Sequence, residues 1–256
     1  MSPPATVDPD ALAGLVAAAA ARVRWDAENG VRGYRREQAS PRTSREAVAP
    51  PLREPVPATV APTAEPQAAL EALRGEIGDC HRCPLGAGRT RVVFGEGAPR
   101  PRLVFVGEGP GHDEDLSGRP FVGAAGQLLD KIIGAMGLAR SDVYICNVVK
   151  CRPPSNRAPE ALEMATCGAF LERQLEILAP EVIVALGATA TSYLLGSEAP
   201  MRERRGRFFD RGPARLMPTY HPAYLLRSPE AKRPVWEDMQ QVMAALRLGP
   251  PAGGRA

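Results

Sequence analysis

The chain has 256 residues, of which 44% are hydrophobic and 24% charged, a composition typical of a globular protein with one or two domains. No apolar run reaches the ~18–20 residues that cross a bilayer, which excludes a transmembrane protein. The opening residues MSPPATVDPD lack the basic start of a secretory signal. We therefore expect a cytoplasmic protein that does not contact a membrane. The net charge of +3 does not by itself indicate a nucleic-acid-binding protein.

Residues 1–66 are predicted to be an N-terminal extension of the main domain. Seven of the 26 residues from Pro41 to Pro66 are proline, which interrupts helices and central strands, so this stretch predicts a disordered linker. Ahead of it, apolar residues at helical spacing predict a helix over residues 10–28. This helix either packs on the main domain or binds a protein partner.

A main domain is predicted over residues 67–248, followed by a flexible tail over residues 249–256. Strands are predicted at residues 102–107, 143–149, 181–187 and 214–217. Helices are predicted at residues 68–77, 122–136, 159–178, 188–195 and 229–246. Strands that alternate with helices predict an α/β domain whose parallel sheet is covered on both faces. Ligands of such sheets bind at the carboxyl ends of the strands.

Four of the five cysteines, Cys80, Cys83, Cys151 and Cys167, are candidate metal ligands. Disulfides are disfavoured in a chain without a secretory signal, whereas four thiolates suit either zinc or an iron–sulfur cluster. Zinc usually takes two CxxC pairs, and here the second pair is 16 residues apart, which favours a cubane cluster. Cys146 lies in an apolar strand and is expected to be a core residue.

Polar and aromatic residues gather where the predicted strands end. Glu108 lies in the glycine-rich GEGPG segment after the first strand, and Phe121 lies in the following loop. Asn147 lies in the second strand near its end, and His221 begins the late segment HPAYLLR. A carboxylate, an aromatic ring, an amide and an imidazole brought together at strand ends can hold a flat, polar, uncharged ring.

Arginines are concentrated between Met201 and Arg215, where six face only two acidic residues. This segment either contacts phosphates or is a solvated surface. A genome rich in G and C would also produce a preference for arginine over lysine. The number of arginines alone therefore does not decide between phosphate contact and a solvated surface.

The motifs GEGPG, GRPFVGAAGQLL, NVVKCRPP and HPAYLLR, with the four cysteines, resemble those of the family 4 uracil-DNA glycosylases. The resemblance covers residues 67–246 and keeps the family's motif order. It implies a three-layer α/β/α sandwich with a short central parallel sheet, and a [4Fe–4S] cluster held by the four cysteines. The implied activity is hydrolysis of the N-glycosidic bond of uracil in single- or double-stranded DNA, by a monomer.

The resemblance also implies a role for the pocket residues. Phe121 stacks on the extruded uracil, and Asn147 recognises its Watson–Crick edge, while backbone groups of Gly107 and Gly109 complete the pocket. Glu114 is placed against C5 of the base, where it excludes the methyl group of thymine.

Two further residues are implied in the chemistry. His221 stabilises negative charge at uracil O2, and Glu108 positions the water or stabilises the sugar. Gly109 stands where other branches of the superfamily carry an acidic residue or Asn, so the reaction is expected to depend on electrostatic stabilisation. Lys150 is the only lysine in the motifs and lies beside a cluster cysteine, which predicts a monofunctional enzyme without a Schiff base.

The HPAYLLR segment is also expected to contact DNA. Leu225 or Leu226 would fill the gap left by the extruded nucleotide, and Arg227 would hold the adjacent phosphate, although both leucines also suit a protein core. Three alternatives to turnover are a crosslinking relative, which carries a GEQPG-type first motif, a uracil-DNA-binding module, and an iron–sulfur electron carrier.

Overall fold

The computed structural model describes residues 65–249 of the chain. The predicted helix over residues 10–28, nearly all of the proline-rich linker and the end of the C-terminal tail lie outside the described residues. In the described part, no helix is both long enough and apolar enough to cross a bilayer.

A six-stranded sheet forms the middle of the domain, in the order β1-β3-β2-β4-β6-β5. The strands are β1 (Glu96–Gly97), β2 (Leu103–Gly107), β3 (Tyr144–Asn147), β4 (Val182–Leu186), β5 (Phe209–Arg211) and β6 (Ala214–Thr219). The four central strands are parallel, and β1 and β5 pair antiparallel at the two edges. All residues of β2, β3 and β4 are buried, as expected for strands covered on both faces.

Helices cover both faces of this sheet. Those of the described part are α1 (Pro66–Ile77), α2 (His112–Ser117), α3 (Ala124–Ala135), α4 (Ala161–Leu178), α5 (Ala188–Leu195), α6 (Met201–Arg204), α7 (Pro222–Arg227) and α8 (Lys232–Ala245). Residues of α1, α4 and α5 share one apolar cluster with the sheet, and residues of α3, α7 and α8 share the other. The predicted three-layer α/β/α sandwich is confirmed.

The sheet differs from the prediction at its edges. The four predicted strands are the four parallel ones, but β1 and β5 were not predicted, so the sheet is mixed. Both edge strands are only two or three residues long, and their sequences EG and FDR carry no run of apolar residues. Periodicity therefore cannot detect them.

The parallel direction of the central strands brings the predicted motifs to one edge of the sheet. Gly107 and Asn147 are register partners at the ends of β2 and β3. On the other side of β2, the N–H of Gly187 after β4 donates to the carbonyl of Thr219 at the end of β6 (2.9 Å). His221 follows two residues later, so the glycine-rich, asparagine and histidine motifs emerge together.

Candidate active site and cysteine pocket

A buried amide oxygen without a hydrogen-bond partner lies at the centre of the site. Asn147 is 1% exposed, and no residue in the range 65–249 donates a hydrogen bond to its Oδ1 atom. An acceptor left unsatisfied in this way costs about 1–3 kcal/mol. Such an atom suits a ligand that brings its own N–H donor.

Glycine residues keep the space beside this amide open. A Cβ atom at Gly107 would lie 2.4 Å from Asn147 Oδ1 and 2.5 Å from Phe121 Cζ. A Cβ atom at Gly109 would lie 2.7 Å from a methyl group of Val149. Neither position accepts a side chain, and the amide and the aromatic ring therefore border the same space.

The Phe121 ring is fixed by a constrained backbone. Phe121 has a φ of 50°, which is rare for a bulky residue and costs about 1–3 kcal/mol. Arg140 holds this conformation by donating to the Phe121 carbonyl (3.1 Å) and to the carbonyl of Pro120, while its Nε donates to Glu96 (2.6 Å). The ring centroid lies 5.6 Å from that of His221. The Phe121 and His221 rings therefore lie side by side.

His221 caps α7 in a way that fixes its tautomer. Its Nδ1 accepts a hydrogen bond from the N–H of Ala223 (3.1 Å), so a neutral ring carries its proton on Nε2. Burial lowers the pKa of His221 to about 4, helped by the charge of Arg227 and opposed by Glu114. At neutral pH the site therefore contains an uncharged imidazole, and within residues 65–249 its Nε2–H donates to no other group.

Glu108 is held by a residue that the sequence did not indicate. Its carboxylate accepts a short hydrogen bond from the hydroxyl of Thr189 in the first turn of α5. Helix N-termini favour negative charge, so this position suits a carboxylate. Thr189 follows β4, which is the third predicted strand. The rule that ligands bind at the carboxyl ends of strands also applies to this strand and would have identified Thr189.

Glu114 joins two loops of the site. Its Oε2 accepts the N–H of Gly111 (3.1 Å), and its Oε1 accepts the N–H groups of Val122 (2.8 Å) and Gly123 (2.9 Å). The carboxylate therefore ties the glycine-rich loop to the residues that follow Phe121. Its role against C5 of a base stays a prediction.

Leu225 is a core residue, which corrects the prediction that it contacts DNA. It is 1% exposed and belongs to the apolar cluster beneath α3 and α8, whereas Leu226 is 47% exposed. Successive residues of a helix point in different directions, so only one of the two leucines packs against the sheet. Arg227, next in sequence, is exposed.

The arginine-rich segment from Met201 to Arg215 uses several of its guanidinium groups within the protein. Arg204 is 4% exposed and donates to Ser192 and Ser197. Arg205 pairs with the buried Asp238 (2.6 Å), and Arg211 pairs with Glu172 (2.7 Å). These three arginines stabilise the fold and do not form a free phosphate-binding patch.

All four candidate metal ligands, Cys80, Cys83, Cys151 and Cys167, line one pocket between α1, α4 and the end of β3. Burial raises the pKa of Cys151 to about 12 and also raises the pKa of Cys167, so their thiolates need a compensating positive centre. Among residues 65–249, no three Cys, His, Asp or Glu side chains converge on a point that suits a single metal ion. Cys146 is fully buried in the core, as predicted.

N–H donors approach three of these sulfur atoms. The main-chain N–H of Lys150 donates to Cys167 Sγ (3.2 Å), Arg82 donates to Cys80 Sγ (3.4 Å), and Arg89 lies 3.7 Å from Cys151 Sγ. Hydrogen bonds to ligating sulfurs are the usual environment of iron–sulfur clusters. The four thiols therefore share one pocket, and N–H donors lie near three of them.

Comparison with known proteins agrees with this geometry. Residues 94–240 match the family model of the uracil DNA glycosylase superfamily. The chain is 50% identical to a type-4 uracil-DNA glycosylase of Thermotoga maritima, over 70% of this chain and 95% of the relative. Identity is 40% with the type-4 enzyme of Saccharolobus solfataricus (71% and 88%) and 39% with that of Archaeoglobus fulgidus (68% and 91%). The chain belongs to the type-4 uracil-DNA glycosylases.

The superfamily match includes most of the candidate site. It begins just before β1 and ends within α8, and so contains the glycine-rich loop, Phe121, Asn147 and His221. Cys80 and Cys83 precede the superfamily match. The alignments with the type-4 relatives are longer than that match and cover about 180 residues.

Replacing Gly107 by alanine will close the pocket. The added methyl group must displace the Asn147 amide or the Phe121 ring, so we expect Gly107→Ala to fold and to lose at least about a hundredfold in uracil release. Gly134→Ala in α3 is the matched control, because nothing in residues 65–249 lies within 4 Å of its added Cβ. Single-turnover rates on uracil-containing DNA measure both variants, and equal rates would contradict this geometry.

Acid will destabilise the folded protein through His221. The unfolded chain binds a proton on this residue near its ordinary pKa of 6.5, whereas the folded protein resists protonation down to about 4. As the pH falls from 6.5 to about 4, the free energy of unfolding decreases by up to about 1.4 kcal/mol per pH unit. Above pH 6.5 this effect is absent. The free energy of unfolding is measured with urea at about pH 7 and about pH 4.5. It should fall more between these pH values for the wild type than for His221→Gln. Equal losses would show that the folded-state pKa is not lowered.

Proposed function

We propose that this protein hydrolyses the N-glycosidic bond of uracil in DNA, which releases free uracil and leaves an abasic site. The observation that supports this most directly is the unpartnered Oδ1 of Asn147, in a space bordered by Gly107 and the Phe121 ring. That space suits a flat base with an N–H donor on its edge. Uracil has one at N3.

The amide of Asn147 discriminates between uracil and cytosine. Its Oδ1 accepts the N3–H of uracil, and its Nδ2 donates to O4. Cytosine has an acceptor at N3 and a donor at its exocyclic nitrogen, so both hydrogen bonds would be lost and buried polar groups left unpaired. The ring of Phe121 stacks on the base once it has left the duplex.

The bond breaks because the leaving base is stabilised as an anion. The Nε2–H of neutral His221 donates to uracil O2 as negative charge develops there, and one preorganised donor of this kind contributes about 3–4 kcal/mol. Glu108, oriented by Thr189, stabilises the positive sugar or positions the water that attacks it. The water oxygen bonds to the sugar carbon, and the electron pair of the broken bond leaves with uracil as its N1 anion. The water loses one proton to solvent, and the anion takes up one proton to give free uracil.

A covalent step through lysine does not fit the site. Lys150 is 1% exposed, and its Nζ donates to the carbonyl of Asn147 and to Gln174, so the amine is unavailable to the sugar. We therefore propose a monofunctional glycosylase, which hydrolyses the bond without cleaving the strand.

The four cysteines, Cys80, Cys83, Cys151 and Cys167, would hold a [4Fe–4S] cluster. The cluster would supply a rigid covalent connection between the loop after α1, the end of β3 and helix α4. Hydrolysis transfers no electrons, so this role is structural.

DNA contact outside the pocket would come from Leu226 and Arg227 of α7, both exposed. Monomeric state and a protein partner for residues 10–28 stay predictions.

A gel assay on uracil-containing single-stranded DNA, followed by alkali, tests this function. We expect strand cleavage after alkali, and a rate about 10²–10³-fold lower for His221→Ala with little change in DNA affinity. A covalent shift would indicate a crosslinking relative, a non-covalent shift alone would indicate a binding module, and no change would indicate an unrelated role. A His221→Ala rate within about twofold of wild type would refute the assigned site.

Anaerobically purified protein will contain about four iron and four sulfide per chain, with broad visible absorption. Stoichiometric zinc without sulfide would contradict the cluster. We expect Cys151→Ser to give poorly folded protein, because the thiolate joins the end of β3 to the cluster. Cys146→Ser is the control: it alters a core cysteine and should keep the iron content.

Leu226 will act on duplex substrates specifically. We expect Leu226→Ala to slow uracil release from duplex DNA more than from single strands, since only the duplex must be unpaired. Leu162→Ala, on α4, removes a leucine that is 67% exposed and should affect neither substrate. Equal losses on both substrates would assign Leu226 a structural role instead.

A further inference from the structure

A buried ammonium connects the base-recognition residue to the cysteine pocket. Lys150 is 1% exposed, and its Nζ donates to the main-chain carbonyl of Asn147 (2.7 Å) and to Oε1 of Gln174 (2.5 Å). Its main-chain N–H donates to Cys167 Sγ (3.2 Å). One residue therefore contacts the end of β3, helix α4 and a candidate cluster ligand.

The partners of this ammonium are themselves fixed. Gln174 is fully buried, and its Nε2 donates to the carbonyl of Phe94 (2.9 Å) and lies 3.4 Å from the hydroxyl of Tyr144. Gln174 lies two turns after Cys167 on α4, so both face the same side. The ammonium thus joins the last residue of β3 to the helix that carries Cys167.

Burying an amine is costly, and an apolar side chain would pack this position at lower cost. The position of Asn147 gives a reason for the amine. Its Oδ1 has no partner in residues 65–249, so nothing on the acceptor side of the amide fixes its direction before a base arrives. The bond from Lys150 restrains the backbone of Asn147 directly.

We propose that Lys150 is a positioning residue that aims the Asn147 amide at the base and ties it to the cysteine pocket. This inference rests on the proposed base-recognition role of Asn147. It gives the cysteine pocket a function in substrate selection: the helix and loop that it fixes also fix the residue that recognises uracil. Lys150 itself touches neither base nor sugar.

Affinity for free uracil, measured by calorimetry, tests this role without any turnover. Lys150→Met keeps the length of the side chain and the main-chain N–H to Cys167 but removes the ammonium. We expect it to keep the iron and sulfide content of the wild type and to weaken uracil binding about tenfold. Arg204→Met is the matched control: it removes another buried cation, bonded to Ser192 and Ser197, and should leave uracil affinity unchanged.

Two further variants keep the test decisive. If Lys150→Met does not fold, Gln174→Met removes the other anchor of the ammonium and should weaken uracil binding at least about threefold. The proposal would be overturned if Lys150→Met folds, keeps its iron and binds uracil within about twofold of the wild-type affinity. If Lys150→Met does not fold, the same result for Gln174→Met would overturn it. Asn147→Ala separates this failure from that of the proposed function: unchanged affinity there would refute base recognition by Asn147 itself.

Discussion

The site is organised around one buried polar atom, Oδ1 of Asn147, to which no residue in the range 65–249 donates a hydrogen bond. Burying this atom without a partner lowers stability by about 1–3 kcal/mol, and in the proposed function a base that supplies an N–H removes this cost. The cost is useful only if the amide stays in place and water is kept out. The surrounding glycines, loops and ion pairs meet these two requirements.

Each candidate site residue is held in place by hydrogen bonds from a neighbouring side chain or main-chain group. Arg140 holds the carbonyl of Phe121 in a strained turn, and Glu114 ties the adjoining backbone to the glycine-rich loop. Thr189 orients Glu108, and the N–H of Ala223 fixes the tautomer of His221. Catalysis by preorganised dipoles requires this kind of support, because groups that must reorient during the reaction contribute less.

The sequence predicts the parts of this structure that leave a local pattern. Apolar runs predicted the four parallel strands, and the strand-end rule brought Asn147 and His221 together. The edge strands were missed because two or three residues carry no periodicity. Leu225 and Leu226 are the same residue type at adjacent positions. Only the orientation of α7 against the sheet shows that Leu225 is the buried one. Arg140 and Gln174 were missed because their partners are distant in sequence, whereas Thr189 follows β4 and lies within reach of the strand-end rule.

The central claim is that the buried oxygen of Asn147 accepts the N3–H of uracil. Proton magnetic resonance of nitrogen-labelled free uracil, bound to the wild type and to Asn147→Ala, tests it most directly. We expect the N3–H proton of bound uracil to move downfield and to be protected from exchange with water, and both effects to disappear in Asn147→Ala. An N3–H resonance that keeps its position and exchange rate in the wild-type complex would contradict the account.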